Sequence, residues 1–198
     1  MADELELKAV VPDPAKTRER LKAAGAKETY RGMMRDRLFD ADGRLTARGE
    51  VLRIRSFEPR GGLAHAVVGW KGPTLRSHDG YKLRKEIEYP TPDGANATRF
   101  LEALGYRIVR SIDRYVEMFS IAGATARLEW YPRMDVLMEI EGTPAAIESA
   151  VSQSGLPRSA FLADPLAIFV ELYNARESQP AIIAEQELGE VTPSWHDL

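Results

Sequence analysis

Residues 3–10 read Asp-Glu-Leu-Glu-Leu-Lys-Ala-Val, a strict alternation of charged and apolar side chains. A period of two puts Glu4, Glu6 and Lys8 on one face of a strand and Leu5 and Leu7 on the other. The pattern returns along the chain. In residues 50–58 the charged face carries Arg53 and Arg55. In residues 80–89 it carries Lys82, Arg84, Glu86 and Glu88, and in residues 134–142 it carries Glu139 and Glu141. An ordinary half-buried strand turns such a face to water. Here one strand after another carries charges of both signs, which leaves two readings open. One is a solvated outer face. The other is a closed barrel with a charged lumen and an apolar outer wall. Leu5, Leu7, Ile54, Leu83, Ile87, Leu137 and Ile140 favour the barrel, because they need cover that helices can supply, and closure removes exposed strand edges.

The rest of the chain supplies those strands and helices. Asp13-Pro14 provides a cap and a first-turn proline for a helix running to about residue 24, with Gly25 after it. A strand over 27–40 ends at the turn Asp40-Ala41-Asp42-Gly43. Pro59-Arg60-Gly61-Gly62 separates the strand at 50–58 from another at 63–72, and a polar loop covers 73–79. A helix follows Asp93 and ends at Gly105. Strands fit 106–120, 124–131 and 134–142, broken by Gly123 and by Pro132-Arg133. Thr143-Pro144 and Asp164-Pro165 both read as helix starts. About eight strands joined mostly by short turns predict an antiparallel α+β fold, a closed eight-stranded β-barrel with helices packed outside. Residues 1–176 form the expected domain. Residues 177–198 are polar, acidic and aperiodic, and read as a loose tail.

Composition narrows the function. The 198 residues carry 27 Lys and Arg against 30 Asp and Glu, a net charge of −3, which argues against a nucleic-acid partner. There is no cysteine, so disulfides and thiolate metal sites are excluded. The start Met-Ala-Asp-Glu has neither a basic nor an apolar leader region, and no stretch reaches the length of a membrane span. A cytoplasmic location and no membrane partner are expected. His65, His78 and His196 have no second histidine at ligand spacing and read as surface or loop residues. Trp70 reads as a wall residue rather than a base-stacking one.

A lumen of mixed charge is costly when dry, so it must be wet, paired, metal-bound or filled by a ligand. Carboxylates at i, i+2 suit hard divalent cations, and Arg and Lys on facing strands suit phosphate oxygens. Together they point to a polyanion held with Mg²⁺ or Mn²⁺.

These stretches are familiar in order. Glu4-Leu5-Glu6-Leu7-Lys8 resembles the ExExK signature that opens the CYTH family of triphosphate tunnel enzymes. Arg35-Asp36-Arg37-Leu38-Phe39-Asp40 resembles that family's D-x-Y-F-D strand end, and Leu52-Arg53-Ile54-Arg55 its L-R-I-R strand. Trp70-Lys71-Gly72-Pro73 matches W-K-G-P. Arg84-Lys85-Glu86-Ile87-Glu88 resembles R-x-E-x-E, and Glu139-Ile140-Glu141 the closing E-I-E strand. The resemblance covers about residues 3–175. It implies that Glu4, Glu6, Glu139 and Glu141, with Glu129, hold metal. It implies that Lys8, Arg53, Arg55, Lys71, Arg84 and one or both of Arg110 and Arg114 hold a triphosphate, while Glu86 and Glu88 support them. Glu6, Lys8, Lys71 and Glu139 are the implied catalytic residues. A homodimer is also implied.

Three departures bear on the reaction. Leu38 replaces the usual tyrosine, Glu129 stands where Asp is usual, and the K-x-R pair before the family's seventh strand is represented only by Arg110 and Arg114. The resemblance implies phosphoanhydride hydrolysis of an inorganic, thiamine or nucleoside triphosphate. Its alternatives are a class IV adenylyl cyclase forming cyclic AMP from ATP, and a binding module that turns nothing over.

Overall fold

A computed structural model describes residues 3–76 and 82–196, apart from the side chains of residues 3, 4, 76, 82 and 83. The alternating stretches are strands. In chain order the elements are β1 (Asp3–Val10), α1 (Pro14–Ala23), β2 (Lys27–Asp40), α2 (Arg44–Ala47), β3 (Val51–Pro59), β4 (His65–Lys71), β5 (Leu75–Arg76) and β6 (Lys82–Thr91). There follow α3 (Gly94–Ala103), β7 (Arg107–Ile121), β8 (Ala124–Trp130), β9 (Leu137–Glu141), α4 (Pro144–Ser154) and α5 (Leu166–Arg176). The caps explain the helix starts. The Asp13 side chain accepts from Lys16 N, that of Asp93 from Asn96 N and that of Thr143 from Ala146 N. The start of α5 differs from expectation: Pro165, not Asp164, is its capping residue. The short α2 was not expected. It forms because Asp40 accepts from the Leu45 and Thr46 amides and the Thr46 hydroxyl, closing the turn after β2 into a helical one. Between β7 and β8, Ala122 at φ +50° and Gly123 at φ +82° make the two-residue turn whose twist matches a hairpin.

The sheet runs β1-β9-β8-β7-β2-β3-β4-β6, antiparallel at every step, with β5 as a two-residue addition to β6. It curls until its ends meet over part of their length. β1 pairs with β9 through residues 6–10 and with β6 through residues 3–6. β6 in turn gives residues 82–85 to β1 and residues 86–91 to β4. The two ladders of β6 therefore do not overlap. Beyond Glu6 the edge of β1 is met by Leu162 instead: Lys8 N donates to Leu162 O at 2.8 Å and Leu162 N to Lys8 O at 2.7 Å. The expected closed barrel is thus corrected to a curled half-barrel of eight long strands, because its two end strands meet only through residues 3–6 of β1 and 82–85 of β6.

The outer wall is apolar where helices cover it. Leu21 of α1 and Ile147, Ala150 and Val151 of α4 pack on Leu7, Phe119, Leu128 and Ile140. Each fully buried Leu, Ile or Phe contributes roughly 1.5–3 kcal/mol. Leu101 of α3 packs on Phe39, Ile54 and Ala66. Cover is incomplete over β6, where Ile87 is 54% exposed, contrary to expectation. No helix among the described residues is long and apolar enough to cross a membrane. The tail also differs from expectation. Ile182, Ala184 and Leu188 are buried, Ile182 bridges to Arg133, and Asp113 N donates to Ile183 O at 2.7 Å. Residues 181–188 dock on the wall because β8 pairs β7 only from Tyr115 onward, which leaves the preceding edge open to another backbone.

Candidate functional site

Strand parity sends one set of charges inward from every long strand. Glu6 and Lys8 come from β1, Asp36 from β2, Arg53 and Arg55 from β3, and Lys71 from β4. Arg84, Glu86 and Glu88 come from β6, Arg114 from β7, Arg127 and Glu129 from β8, and Glu139 and Glu141 from β9. They line two adjoining cavities that share Arg53, Arg55 and Arg127. The smaller cavity, of about 210 Å³, is lined by eight cationic side chains and four carboxylates among the described residues. The cations are Lys8, Arg53, Arg55, Lys71, Arg84, Arg110, Arg114 and Arg127, and the carboxylates are Glu6, Asp36, Glu129 and Glu139. That excess of four positive charges is what a bound polyanion would neutralise. The larger cavity, about 740 Å³, is balanced: Arg53, Arg55 and Arg127 face Glu86, Glu88 and Glu141 beside Phe57, Val67 and Met118.

The ion pairs are continuous through the lumen. Lys8 Nζ lies 2.8 Å from Glu6 Oε1 and 2.5 Å from Glu139 Oε2. Asp36 is the hub on the opposite wall. Arg55 donates to both its oxygens, and Arg114 Nη1 and Nη2 donate to its Oδ2 at 3.2 Å. Burial alone would raise the Asp36 carboxyl, but the charges of Arg55, Arg114 and Arg53 outweigh it and hold it well below the usual carboxylate range. Glu129 behaves the same way. Burial raises it, while Arg114 and Arg127 pull it lower overall. Glu129 accepts from Arg114 Nε at 3.1 Å and from the Tyr131 hydroxyl at 2.6 Å. Arg53 is lowered too, but by burial first and then by neighbouring Arg55, both of which disfavour its charged form. Arg53 and Arg55 can still serve as fixed cations, since guanidinium does not deprotonate in proteins.

Glu86 contacts Lys71, and Glu88 accepts from Arg53 Nη2 at 3.0 Å. Gly69 lies between Arg53 and Glu88 in the register, and its missing side chain lets this pair meet across the strand. Of the two basic candidates on β7, Arg114 is buried in the centre, while Arg110 is exposed at the mouth. The N-terminal turn of α5 stands at the same mouth through Pro165, Leu166 and Ala167. Leu38 lines the cavity and offers no hydroxyl. Trp70 alternates with lumen-facing Lys71 and so faces the outer wall. Asp36, Arg127 and Tyr131 were not among the expected site residues, yet the structure brings all three to it. The parity of Glu129 is a signal that places Arg127 and Tyr131 on its face.

The carboxylates fit a divalent metal in donor chemistry, since all are hard oxygen ligands. Their arrangement is different. The side chain of Glu4 lies outside the described residues. Among the described residues no three carboxylates or histidines converge as a metal group. Glu6 and Glu139 share Lys8, Glu129 is held by Arg114, and Glu139 and Glu141 both meet Arg127.

The CYTH domain model matches residues 2–151. The chain belongs to the CYTH domain family. No curated protein matches it. Several solved structures share the CYTH fold seen here. A Vibrio parahaemolyticus protein assigned as an adenylate cyclase aligns at TM-score 0.71 and 16% identity, over 85% of this chain and 98% of its own. A Pyrococcus horikoshii protein aligns at 0.66 and 21%, over 86% and 99%. A Hippeastrum protein, described as an adenylyl cyclase with a dominant triphosphatase activity, aligns at 0.60 and 18%, over 85% and 95%. At such identities the likeness is one of fold.

Proposed function

We propose that this CYTH protein binds a triphosphate in the smaller cavity and hydrolyses a phosphoanhydride bond with the help of Mg²⁺ or Mn²⁺. The observation that carries the reading is the excess of four positive charges in a lumen of about 210 Å³. Arg53, Arg55 and Arg114 would bind the middle of the chain, where guanidinium forks match phosphate oxygens. Lys71 and Arg84 would hold the end nearer the mouth, and Arg110 would attract the anion to it. Glu6, Glu129, Glu139 and Glu141, with Glu4, would hold the divalent ion, whose chemistry when bound is to offset charge on the phosphate oxygens.

In the hydrolysis, water attacks the terminal phosphorus and the bond to the bridging oxygen breaks. Glu6 or Glu139, which flank Lys8, would take the water's proton. Lys8 and the arginines would stabilise the charge that develops on the leaving oxygen. The small polar lumen and the outward-facing Trp70 support a triphosphate chain as the recognised unit, with no base-stacking ring beside it.

The test is turnover of tripolyphosphate, thiamine triphosphate and ATP with Mg²⁺ or Mn²⁺. Orthophosphate release is expected from at least one, and it should fall by about 10²–10⁴ in Glu6→Gln or Lys8→Ala. Cyclic AMP with pyrophosphate would replace hydrolysis by cyclisation. Failure of all three to bind would remove the reading.

A further inference from the structure

Tyr131 stands on the corner between β8, which ends at Trp130, and β9, which begins at Leu137. The C-terminal segment supplies backbone partners to this corner at successive residues. Ser194 donates from its hydroxyl to Tyr131 O and from its amide to Pro132 O, the latter at 3.1 Å. Ile182 exchanges both backbone bonds with Arg133, at 2.8 and 3.1 Å. The Arg133 guanidinium returns to Pro180 O at 2.9 Å and to Gln179 Oε1 at 3.1 Å. Tyr131 and Pro132 are buried, and buried carbonyls left without donors are costly, so residues 179–194 act as a strap across the corner. The strap lies outside residues 2–151, which the CYTH model matches.

The corner aims Tyr131 at the ion pairs of the lumen. Its ring packs in one cluster with Phe169 of α5 and Ile183 of the strap, and its hydroxyl donates to Glu129 Oε2 at 2.6 Å. Glu129 gives its other oxygen to Arg114 Nε, and Arg114 reaches on to Asp36. A neutral hydroxyl thus satisfies half of the carboxylate without using a cation. Without it, the donor in reserve is Arg127 Nε, 3.9 Å from Glu129 Oε1 and lacking a hydrogen-bond partner among the described residues. Arg127 would be drawn onto Glu129 and withheld from an anion in the cavity. We infer that Tyr131 and Ser194 are positioning residues. The strap fixes the corner through Ser194, and the corner sets the Tyr131 hydroxyl on Glu129, so that the lumen's cations stay available to a polyanion. The link from Ser194 to Glu129 rests on hydrogen bonds alone, whereas its effect on binding rests on the triphosphate reading above.

Two measurements on the full-length protein separate these. With ring-labelled tyrosine, the ¹³Cζ resonance of Tyr131, identified by its loss in Tyr131→Phe, reports the hydrogen bond of the hydroxyl. Ser194→Ala should move this resonance, and Ser194→Thr, which keeps a hydroxyl, should restore it. An unmoved resonance in Ser194→Ala overturns the link. Calorimetric titration with tripolyphosphate is the second measurement. Tyr131→Phe keeps the ring packed and should weaken binding about tenfold, and Ser194→Ala should weaken it about threefold, with Ser194→Thr close to the unaltered protein. The double variant should bind no more weakly than Tyr131→Phe, because Ser194 acts through a hydroxyl that is already gone. Unchanged binding in Tyr131→Phe, or effects that add, overturns the positioning role. Should Tyr131→Phe fail to fold, Ser194→Ala against Ser194→Thr carries the binding test. If tripolyphosphate does not bind the unaltered protein, the triphosphate reading fails, while the resonance still decides the link.

Discussion

Asp36 and Arg55 meet at two points, Arg55 Nε donating to Asp36 Oδ1 at 2.7 Å and Nη2 to Oδ2 at 2.8 Å. Arg114 and Arg53 approach the same carboxylate from neighbouring walls, Arg53 Nη1 at 3.8 Å. One buried anion thus holds three guanidinium groups, and the lumen keeps its shape through it.

Asp36→Asn should therefore destabilise strongly. Removing one partner of a buried pair leaves uncompensated charge and costs about 3–5 kcal/mol, here read as a lower urea midpoint at pH 7. The three arginines would then be available to a polyanion. Tripolyphosphate should raise the melting temperature of the variant more than that of the unaltered protein. An equal rise in both would show that Asp36 does not compete for these cations.

The same pairing dictates an acid response. Asp36 and Glu129 have folded-state pKa values below their ordinary ones, so the unfolded chain binds more protons in the interval between. Their contribution is complete above the unfolded values and is lost as pH falls toward the folded ones. Urea midpoints should change little through this pair between neutrality and about pH 5, then fall below roughly pH 4.5. The fall should be shallower in Asp36→Asn. Parallel curves for the two proteins would assign the acid response to other groups.

Much of this was readable in advance, for a definite reason. Glu6, Lys8, Arg53, Arg55, Lys71 and Glu139 sit in stretches where apolar neighbours fix the parity, so their common face follows from the period. Asp36 lies between Arg35 and Arg37, and three consecutive charges carry no parity of their own. Its role appears only when β3 places Arg55 opposite it. The partial closure was illegible for a related reason. Period two specifies which face a residue occupies. It does not specify over which residues β6 meets β1, since that depends on register between distant strands. Docking of residues 181–188 is likewise a property of an open edge on β7, which composition does not reveal.

The outer wall offers a control on the lumen. Glu117 is fully buried beside α1, with Arg18 Nε at 2.6 Å and Arg31 Nη1 at 3.3 Å. Arg18 also stacks over Trp130 at 5.8 Å. Glu117→Gln should lower stability by about 1–3 kcal/mol in urea denaturation, because charged hydrogen bonds are lost. It faces away from both cavities, so tripolyphosphate affinity should be unchanged. A large loss of affinity would show that the wall and the lumen are coupled through β7.

Arg110 and Arg114 share a face of β7 but differ in what surrounds them. Arg114 is 5% exposed and tied to Asp36 and Glu129, whereas Arg110 stands exposed at the mouth. Arg114→Ala should cost about 3–5 kcal/mol of stability, since it takes one buried cation from both Asp36 and Glu129. Arg110→Ala should stay within about 0.5 kcal/mol, as surface changes usually do. The binding signatures should separate as well. Loss of Arg110 should slow tripolyphosphate association and flatten its dependence on salt, because its charge acts at long range through solvent. Loss of Arg114 should speed dissociation and leave the salt dependence largely intact, because its contacts are direct and desolvated. Stopped-flow binding at several salt concentrations measures both rates. If Arg110→Ala instead raised the dissociation rate alone, Arg110 would be a direct ligand of the anion and the cavity would extend further toward the mouth.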